Sequence, residues 1–224
     1  MNLSVLSGCR LFAYVPADAL PALLDAVGAY TRRYGKGQPV CRMGDTVRAM
    51  GVVLSGSVTI ERDDVWGNKT ILDRAAPGMV FAETYACVPD TPMMVSAVAA
   101  EASEVLFIPA DALLAPAAPP DAGRLALLRG LLAVSARKNL TLTRKIVHTS
   151  PKSLRGRLLS YLSAQAVQHG SDSFDIPFDR QQLADYLGAD RSALSGELGR
   201  MRRDGLLDFR KNHFELHRRT AADE

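Results

Sequence analysis

Between Gly35 and Pro109 the chain runs in short apolar stretches punctuated by Gly35, Gly37, Gly44, Gly51, Gly56, Gly67 and Gly78. Short strands separated by frequent turns predict a β-barrel or sandwich. Within this region Val52, Leu54, Val58 and Ile60 recur at even spacing about the turn Ser55-Gly56-Ser57, and Val105 and Phe107 repeat the pattern later. A period of two implies that one face of each strand is buried. Upstream, from Pro16 to Ala29, the apolar residues Leu20, Leu23, Leu24 and Val27 fall at helical spacing behind Pro16 and Asp18. That pattern predicts a short amphipathic helix packed on the barrel.

The period changes after Pro109. Residues Pro109 to Gly123 are rich in Ala and Pro (Pro116, Pro119, Pro120), which cannot sustain a strand and mark a connector. From Asp121 the residues Leu125, Leu128, Leu132, Ser135, Asn139, Leu142 and Ile146 then step by three and four. This is a coiled-coil seam of about three heptads, and the Asn in it can fix register and dimeric state by pairing with its symmetry mate. An ordinary helix lying on its own core is the alternative. Thr149-Ser150-Pro151 ends it, Leu154, Leu158, Leu159 and Leu162 carry another helix to about Gln168, and Gly170 to Phe178 reads as a loop or short edge strand.

The most informative segment runs from Phe178 to Leu207. Asp179 with Gln182 three residues on forms a capping box for a helix over 180–187, Gly188 breaks it, and Asp190 is expected to cap a second helix over 191–203. The three-residue connection Gly188-Ala189-Asp190 matches a helix-turn-helix. Leu183, Ala184 and Leu187 can then meet Leu194, Leu198 and Met201, which turns Arg191, Ser192 and Ser195 outward, where base edges are read in the major groove. Arg191 can make the bidentate contact to guanine, worth about 1 to 3 kcal/mol of discrimination. Beyond Asp204-Gly205 two short strands joined by the basic tip Arg210-Lys211-Asn212 predict a wing, with Arg210 or Lys211 on backbone phosphate.

Charge permits that placement without locating it, because much of the basic excess sits between Asp121 and Ser150. The chain has 224 residues and a net charge of +3, but residues 1–120 hold 9 Lys+Arg against 12 Asp+Glu, whereas residues 121–224 hold 18 against 12. The basic half is the one suited to phosphates. With 47% hydrophobic and 23% charged residues there is enough apolar side chain for two packed domains. The chain has no bilayer-length apolar run and its first residues lack a secretory pattern, so a cytoplasmic protein without membrane contact is expected. Cys9, Cys41 and Cys87 are too scattered for a disulfide framework or a local zinc site, and reduced, buried thiols are expected. His213 and His217, four apart on a strand, would lie about 13 Å from one another, too far to share an ion. Neither a GxSxG elbow nor a P-loop is present, and no acid, base and nucleophile converge, so an enzyme is not expected.

In order and in motif the chain resembles the Crp/Fnr superfamily of transcription regulators, over nearly its whole length. The residues carrying the resemblance are the helix-turn-helix segment and, in the barrel, Gly44-Asp45, Val53-Leu54-Ser55-Gly56-Ser57-Val58, Pro77-Gly78 and Phe81-Ala82-Glu83. It implies an α+β chain in three parts: a cyclic-nucleotide-binding-type β-barrel (a jelly roll, or double-stranded β-helix) over 1–120, a dimerisation helix over 121–149, and a winged helix-turn-helix over 150–224. It also implies a homodimer acting on double-stranded palindromic promoter DNA, with RNA polymerase as a partner and Arg180 among the DNA-binding residues. An effector pocket is implied at Phe81, Ala82, Glu83, Thr84, Met93 and Met94, with Leu142 and Thr143 where adenine contacts are expected.

Two departures from the family pattern stand out. Met93 and Met94 occupy the positions of the Arg-Ser or Arg-Thr pair that holds a cyclic phosphate, and Val80 to Val98 contains no Lys or Arg, which disfavours cyclic AMP. Gly196 stands where the family often has an arginine that reads DNA. Some relatives hold an iron–sulfur cluster, for which three scattered thiols are too few. Haem stays open, with Met93, Met94, Cys87 or His148 as axial ligands, although methionines in a barrel are more often apolar filling. A cyclic-nucleotide or haem-binding signalling module without DNA function is the remaining alternative.

Overall fold

A computed structural model describes residues 3–63, 66, 69–115 and 121–217. The chain divides into two compact units, 1–137 and 138–224, and the division falls inside one long helix.

The first unit opens with α1 (Leu3–Ser7), a single 3-10 turn (Arg10–Phe12) and α2 (Leu20–Ala26). The helix expected from Pro16 starts only at Leu20: the Pro16 carbonyl accepts the Ala19 amide in a turn 3.1 Å across, and Pro21 sits in the first helical turn, where its missing N–H costs nothing. Strands β1 (Tyr30–Tyr34), β2 (Pro39–Cys41), β3 (Ala49–Ser55), β4 (Val58–Asp63), β5 (Lys69–Ala75) and β6 (Val80–Phe81) follow, then helix α3 (Glu83–Cys87) and strands β7 (Ser96–Ala99) and β8 (Ser103–Pro109). They form two antiparallel sheets of four strands, in the orders β1-β8-β3-β6 and β2-β7-β4-β5. Helix α4 (Ala110–Leu114) occupies the start of the expected connector, since Ala110, Asp111 and the leucines suit a helix once Pro109 has closed β8; Pro116, Pro119 and Pro120 lie outside the described residues.

The simple alternation expected of the strands is replaced in β3 by burial on both faces, from Met50 through Leu54. Met50, Val52 and Leu54 join Leu106, Ile108 and the helices in one core, whereas Val53 points the other way to join Val58, Ala97, Val105 and Phe107 between the sheets. A central strand covered by helices outside and a second sheet inside has no solvent face. Val52 and Leu54 therefore serve a different core from Val58 and Ile60. Between them, Gly56 sits at φ 73°, where a Cβ would stand 2.4 Å from the Ala102 carbonyl oxygen, so the hairpin admits no other residue.

Helix α5 (Ala122–Thr149) begins on Asp121, whose Oδ1 accepts from the amides of Gly123 (2.8 Å) and Arg124 (3.2 Å). Its residues Leu127, Leu131 and Val134 belong to the helix-side core of the first unit, with Leu128 partly buried beside them. At Gly130 a Cβ would come 1.8 Å from the Leu11 carbonyl oxygen, so this glycine allows the close approach of helix and 3-10 turn.

The second unit contains the end of α5, then α6 (Leu154–His169), β9 (Ser173–Asp175), α7 (Arg180–Leu187), α8 (Arg191–Arg203), β10 (Leu207–Arg210) and β11 (His213–Leu216). The three strands form one antiparallel sheet in the order β10-β11-β9. Its core joins Leu158, Tyr161 and Leu162 of α6 to Leu183, Leu187, Leu194, Leu198 and Phe214. No helix among the described residues is long and apolar enough to cross a membrane.

Candidate nucleic-acid interface and effector pocket

Helix α7 starts on the expected capping box: Asp179 Oδ1 accepts the Gln182 amide at 2.8 Å and Gln182 Oε1 accepts the Asp179 amide at 2.9 Å. It ends at Gly188, with φ 62°, whose amide closes the last turn. Asp190 occupies the N-cap of α8 without a side-chain cap hydrogen bond, so the start of that helix is set by packing instead. Leu183, Ala184, Leu187, Leu194, Leu198 and Met201 are all fully buried against one another. Arg191, Ser192 and Ser195 are exposed together at the N-terminal end of α8, and Gly196 beside them.

Helix α6 is the platform that holds this pair. Arg157 Nη1 donates to the carbonyls of Leu187 (2.5 Å) and Gly188 (3.0 Å), capping the C-terminus of α7 where the helix dipole favours a cation. Arg155 Nε donates at 2.6 Å to Glu197, and its Nη1 reaches Asp204 at 2.6 Å, so one arginine ties down the middle and the end of α8. Arg155, then Arg200, holds the Glu197 carboxyl below the usual carboxylate range. Sequence reasoning missed Arg155, Arg157, Glu197 and Arg200. The Glu197 to Arg200 spacing of three was visible as a helical ion pair, but the pairing of Arg155 with a residue 42 positions away had no local signal.

The wing is the hairpin β10-β11, turned by Lys211 and Asn212 with Lys211 at φ 54°. Arg210 and Lys211 are exposed at its tip. Arg180 lies elsewhere: its guanidinium donates to the Lys211 carbonyl at 2.9 Å and lies over the rings of Phe209 and Phe214, 5.0 and 5.5 Å from their centroids. Arg202 packs on the same Phe209 ring at 4.2 Å, pairs with Asp208 at 2.8 Å and donates to the Phe209 carbonyl. Two arginines from two helices thus hold the wing. His213 faces Asp175 and Ser173, whereas His217 faces the Gly205 carbonyl and Asp208.

In the first unit, Phe81 is buried between the sheets, Ala82 adopts the left-handed conformation at φ 58°, Glu83 is buried at the start of α3, and Thr84 is exposed. Met93 is 3% exposed and part of the barrel core, with its amide on the Asp45 carbonyl at 2.9 Å. Met94 is 70% exposed, its amide donating to the Tyr85 hydroxyl at 3.3 Å. Leu142 and Thr143 are exposed on α5 in the second unit. Met93 and Met94 offer a cyclic phosphate no cation and no hydroxyl: both side chains are thioethers, one of them built into the core. Of the haem candidates, Met93 and Cys87 pack in different cores and His148 hydrogen-bonds Ser160 in the second unit. Cys9 and Cys41 are buried and Cys87 half-buried, all three free; burial pushes each thiol up, Cys41 to about 11.

A jelly roll followed by a winged helix-turn-helix defines a DNA-binding transcription regulator with a cyclic-nucleotide-binding-type sensor domain. The cyclic nucleotide-binding domain family model matches residues 31–116 and the Crp-like helix-turn-helix domain model matches residues 156–221. The chain belongs to the Crp/Fnr superfamily of transcription regulators. Among solved structures it is similar to the catabolite activator protein of Thermus thermophilus, at 21% identity over 93% of each chain and a TM-score of 0.50. It is also similar to CLP, the c-di-GMP responsive global regulator of Xanthomonas campestris, at 22% identity over 91% of this chain and 100% of that one, TM-score 0.53. At such identities the likeness is one of fold. No match was found among curated protein sequences.

Proposed function

We propose that the chain acts in the cytoplasm as a homodimer on near-palindromic promoter DNA, in concert with RNA polymerase, and that its barrel answers to an uncharged or apolar effector rather than to cyclic AMP. Residues 1–120 sense, 121–149 dimerise and 150–224 bind DNA. Arg191, Ser192 and Ser195 read base edges, Arg210 and Lys211 rest on phosphate, and Arg180 positions the wing. The observation that carries the reading is the unused face of α5: Leu125, Leu132, Leu142 and Ile146 are 58%, 71%, 62% and 64% exposed, while Leu127, Leu131 and Val134 of the same helix fill the chain's own core. Apolar residues at heptad spacing and in water call for a partner helix. Asn139, exposed in that seam, supplies the register device.

A symmetric dimer places two copies of α8 on half-sites whose centres lie about 34 Å apart. Light scattering with Leu132→Asp and Leu142→Asp tests the seam, with dimer expected from the parent and monomer from the variant. A parent chain that is monomeric at micromolar concentration and still footprints one asymmetric half-site would sink the reading.

A further inference from the structure

The outward face of α8 carries little side chain: Ser192, Ser195 and Gly196 are exposed in succession. One helical turn beyond Gly196 stands Arg200, and its guanidinium is fixed. Nε at 2.9 Å and Nη2 at 2.5 Å both donate to Oε2 of Glu197, which is itself 8% exposed and held from α6 through its other oxygen by Arg155. An arginine has five N–H donors, and this carboxylate takes two. Both hydrogens of Nη1 and the second of Nη2 remain, and one from each nitrogen makes the end-on fork that fits a phosphate or the N7/O6 edge of guanine. Among the described residues Nη1 has no hydrogen-bond partner, and it lies 4.0 Å from the point where a Cβ on Gly196 would stand. The guanidinium, on a side chain 55% exposed, therefore leans over the bare backbone at 196. A Cβ there would fit; a long side chain would compete with Arg200 for the same space.

We propose that Arg200 is a DNA-contacting residue: its guanidinium, oriented by the buried Glu197, extends its open end past Gly196 to a hydrogen-bond acceptor on the duplex, a backbone phosphate or a guanine edge. The inference rests on α8 being the helix that enters the groove, and it adds a residue to that helix's reading set. Glu197 is a positioning residue. The ion pairs Arg155–Glu197, Glu197–Arg200 and Arg155–Asp204 balance two cations with two anions, so what the network supplies is the direction of the Arg200 fork and not extra net charge. A fork already held in place loses less freedom when it binds.

The test uses the full chain and duplexes that it enriches from a random-sequence library, with affinities measured across a salt series. Arg200→Ala is expected to bind the enriched duplex roughly tenfold more weakly. If the acceptor is a phosphate, the slope of log K against log salt falls by about 1 per half-site and Arg200→Lys restores most of it. If it is guanine, the slope holds, one base pair of the half-site loses its preference, and Arg200→Lys restores little. Glu197→Gln, which keeps the shape but releases the guanidinium, is expected to fall between parent and Arg200→Ala. Arg200→Ala with parental affinity, slope and base preference overturns the proposal, and so does a loss of binding that only follows a lowered melting temperature with slope and preference unchanged. A parent chain that enriches no duplex at all is a different failure, that of the regulatory reading itself.

Discussion

The two units keep their folds equally well and their chemistry unequally. In the second unit the devices that place α8 are its packing and the end of α7: the capping box at Asp179, the left-handed Gly188, the fully buried Leu183, Leu194 and Leu198, and polar residues outward on α8, although Asp190 makes no side-chain cap. In the first unit both four-stranded sheets are formed, yet the positions that the family resemblance assigns to a cyclic phosphate are Met93, 3% exposed, and Met94. A β-barrel is stabilised by its inward-facing Val53, Val105 and Phe107, none of which need touch a ligand. Fold and ligand chemistry are therefore separable in the barrel, where the two residue sets differ, and inseparable in the helix-turn-helix, where the core that fixes the helix angle also decides which side chains face out.

That difference can be broken at its strongest point. Leu183→Ala removes a fully buried side chain from the joint core of α7 and α8, with an expected loss of about 2 to 5 kcal/mol in the second unit and of DNA binding with it. Hydrogen exchange read residue by residue checks where the loss falls: amides of α7 and α8 should lose protection while those of β3 and β8 keep theirs. Equal loss in both places would show that the units do not have independent cores.

A second change sharpens the comparison from the barrel side. Met93→Arg combined with Met94→Ser returns a cation and a hydroxyl to these two positions, and a charge-assisted hydrogen bond of about 1.5 to 3 kcal/mol corresponds to roughly 10- to 150-fold in affinity. Isothermal titration with cyclic AMP should show weak binding by the parent, with Kd above about 10 μM, and a gain of that size in the variant. Tight binding by the parent, with tighter operator binding in consequence, would mean that backbone groups alone hold the phosphate.

How much of this was legible in the sequence follows the range of the interactions. The helix-turn-helix is built from contacts three and four residues apart, so its caps, core and outward residues could be read from the spacing of Asp179, Gln182, Leu183 and Leu187. The end of α5 at Thr149 and the wing at Lys211 were legible for the same reason, as turn and helix-stop signals. The double burial of β3 was not, because its second cover comes from helices distant in sequence. Arg180 looked like a DNA contact at the start of α7 until the hairpin 31 residues later closed on it. The Arg155–Glu197 tie is invisible for the same reason.

The smallest effect expected concerns pH, and here too the units differ. All four histidines, His148, His169, His213 and His217, fall in the second unit, so histidine titration reports on that unit alone. His148 is the one built into a core. It is 6% exposed at the end of α5, its Nδ1 is 3.2 Å from the Ser160 hydroxyl, and its ring stands edge-on to Tyr161 with centroids 5.6 Å apart. Burial pushes its pKa below the ordinary 6.5, and the charge of Arg144 pushes the same way. The imidazole is therefore neutral in the folded chain over a range where the unfolded chain already binds a proton. Stability from this group is complete above about pH 6.5 and falls as pH drops through 6.5 towards the lower folded value, below which it levels off. Glu197, held below its usual 4.5 by Arg155 and Arg200, gives way only in a separate window beneath about pH 4.5. Denaturant unfolding followed by amide protection in α6, α7 and α8 at about pH 7.5 and pH 5.5 should show a lower midpoint at the acid end. In His148→Gln, which keeps a polar group near Ser160 but has no titrating ring, that difference should shrink. An unchanged difference in the variant would assign the acid sensitivity to another group and leave His148 as no more than packing.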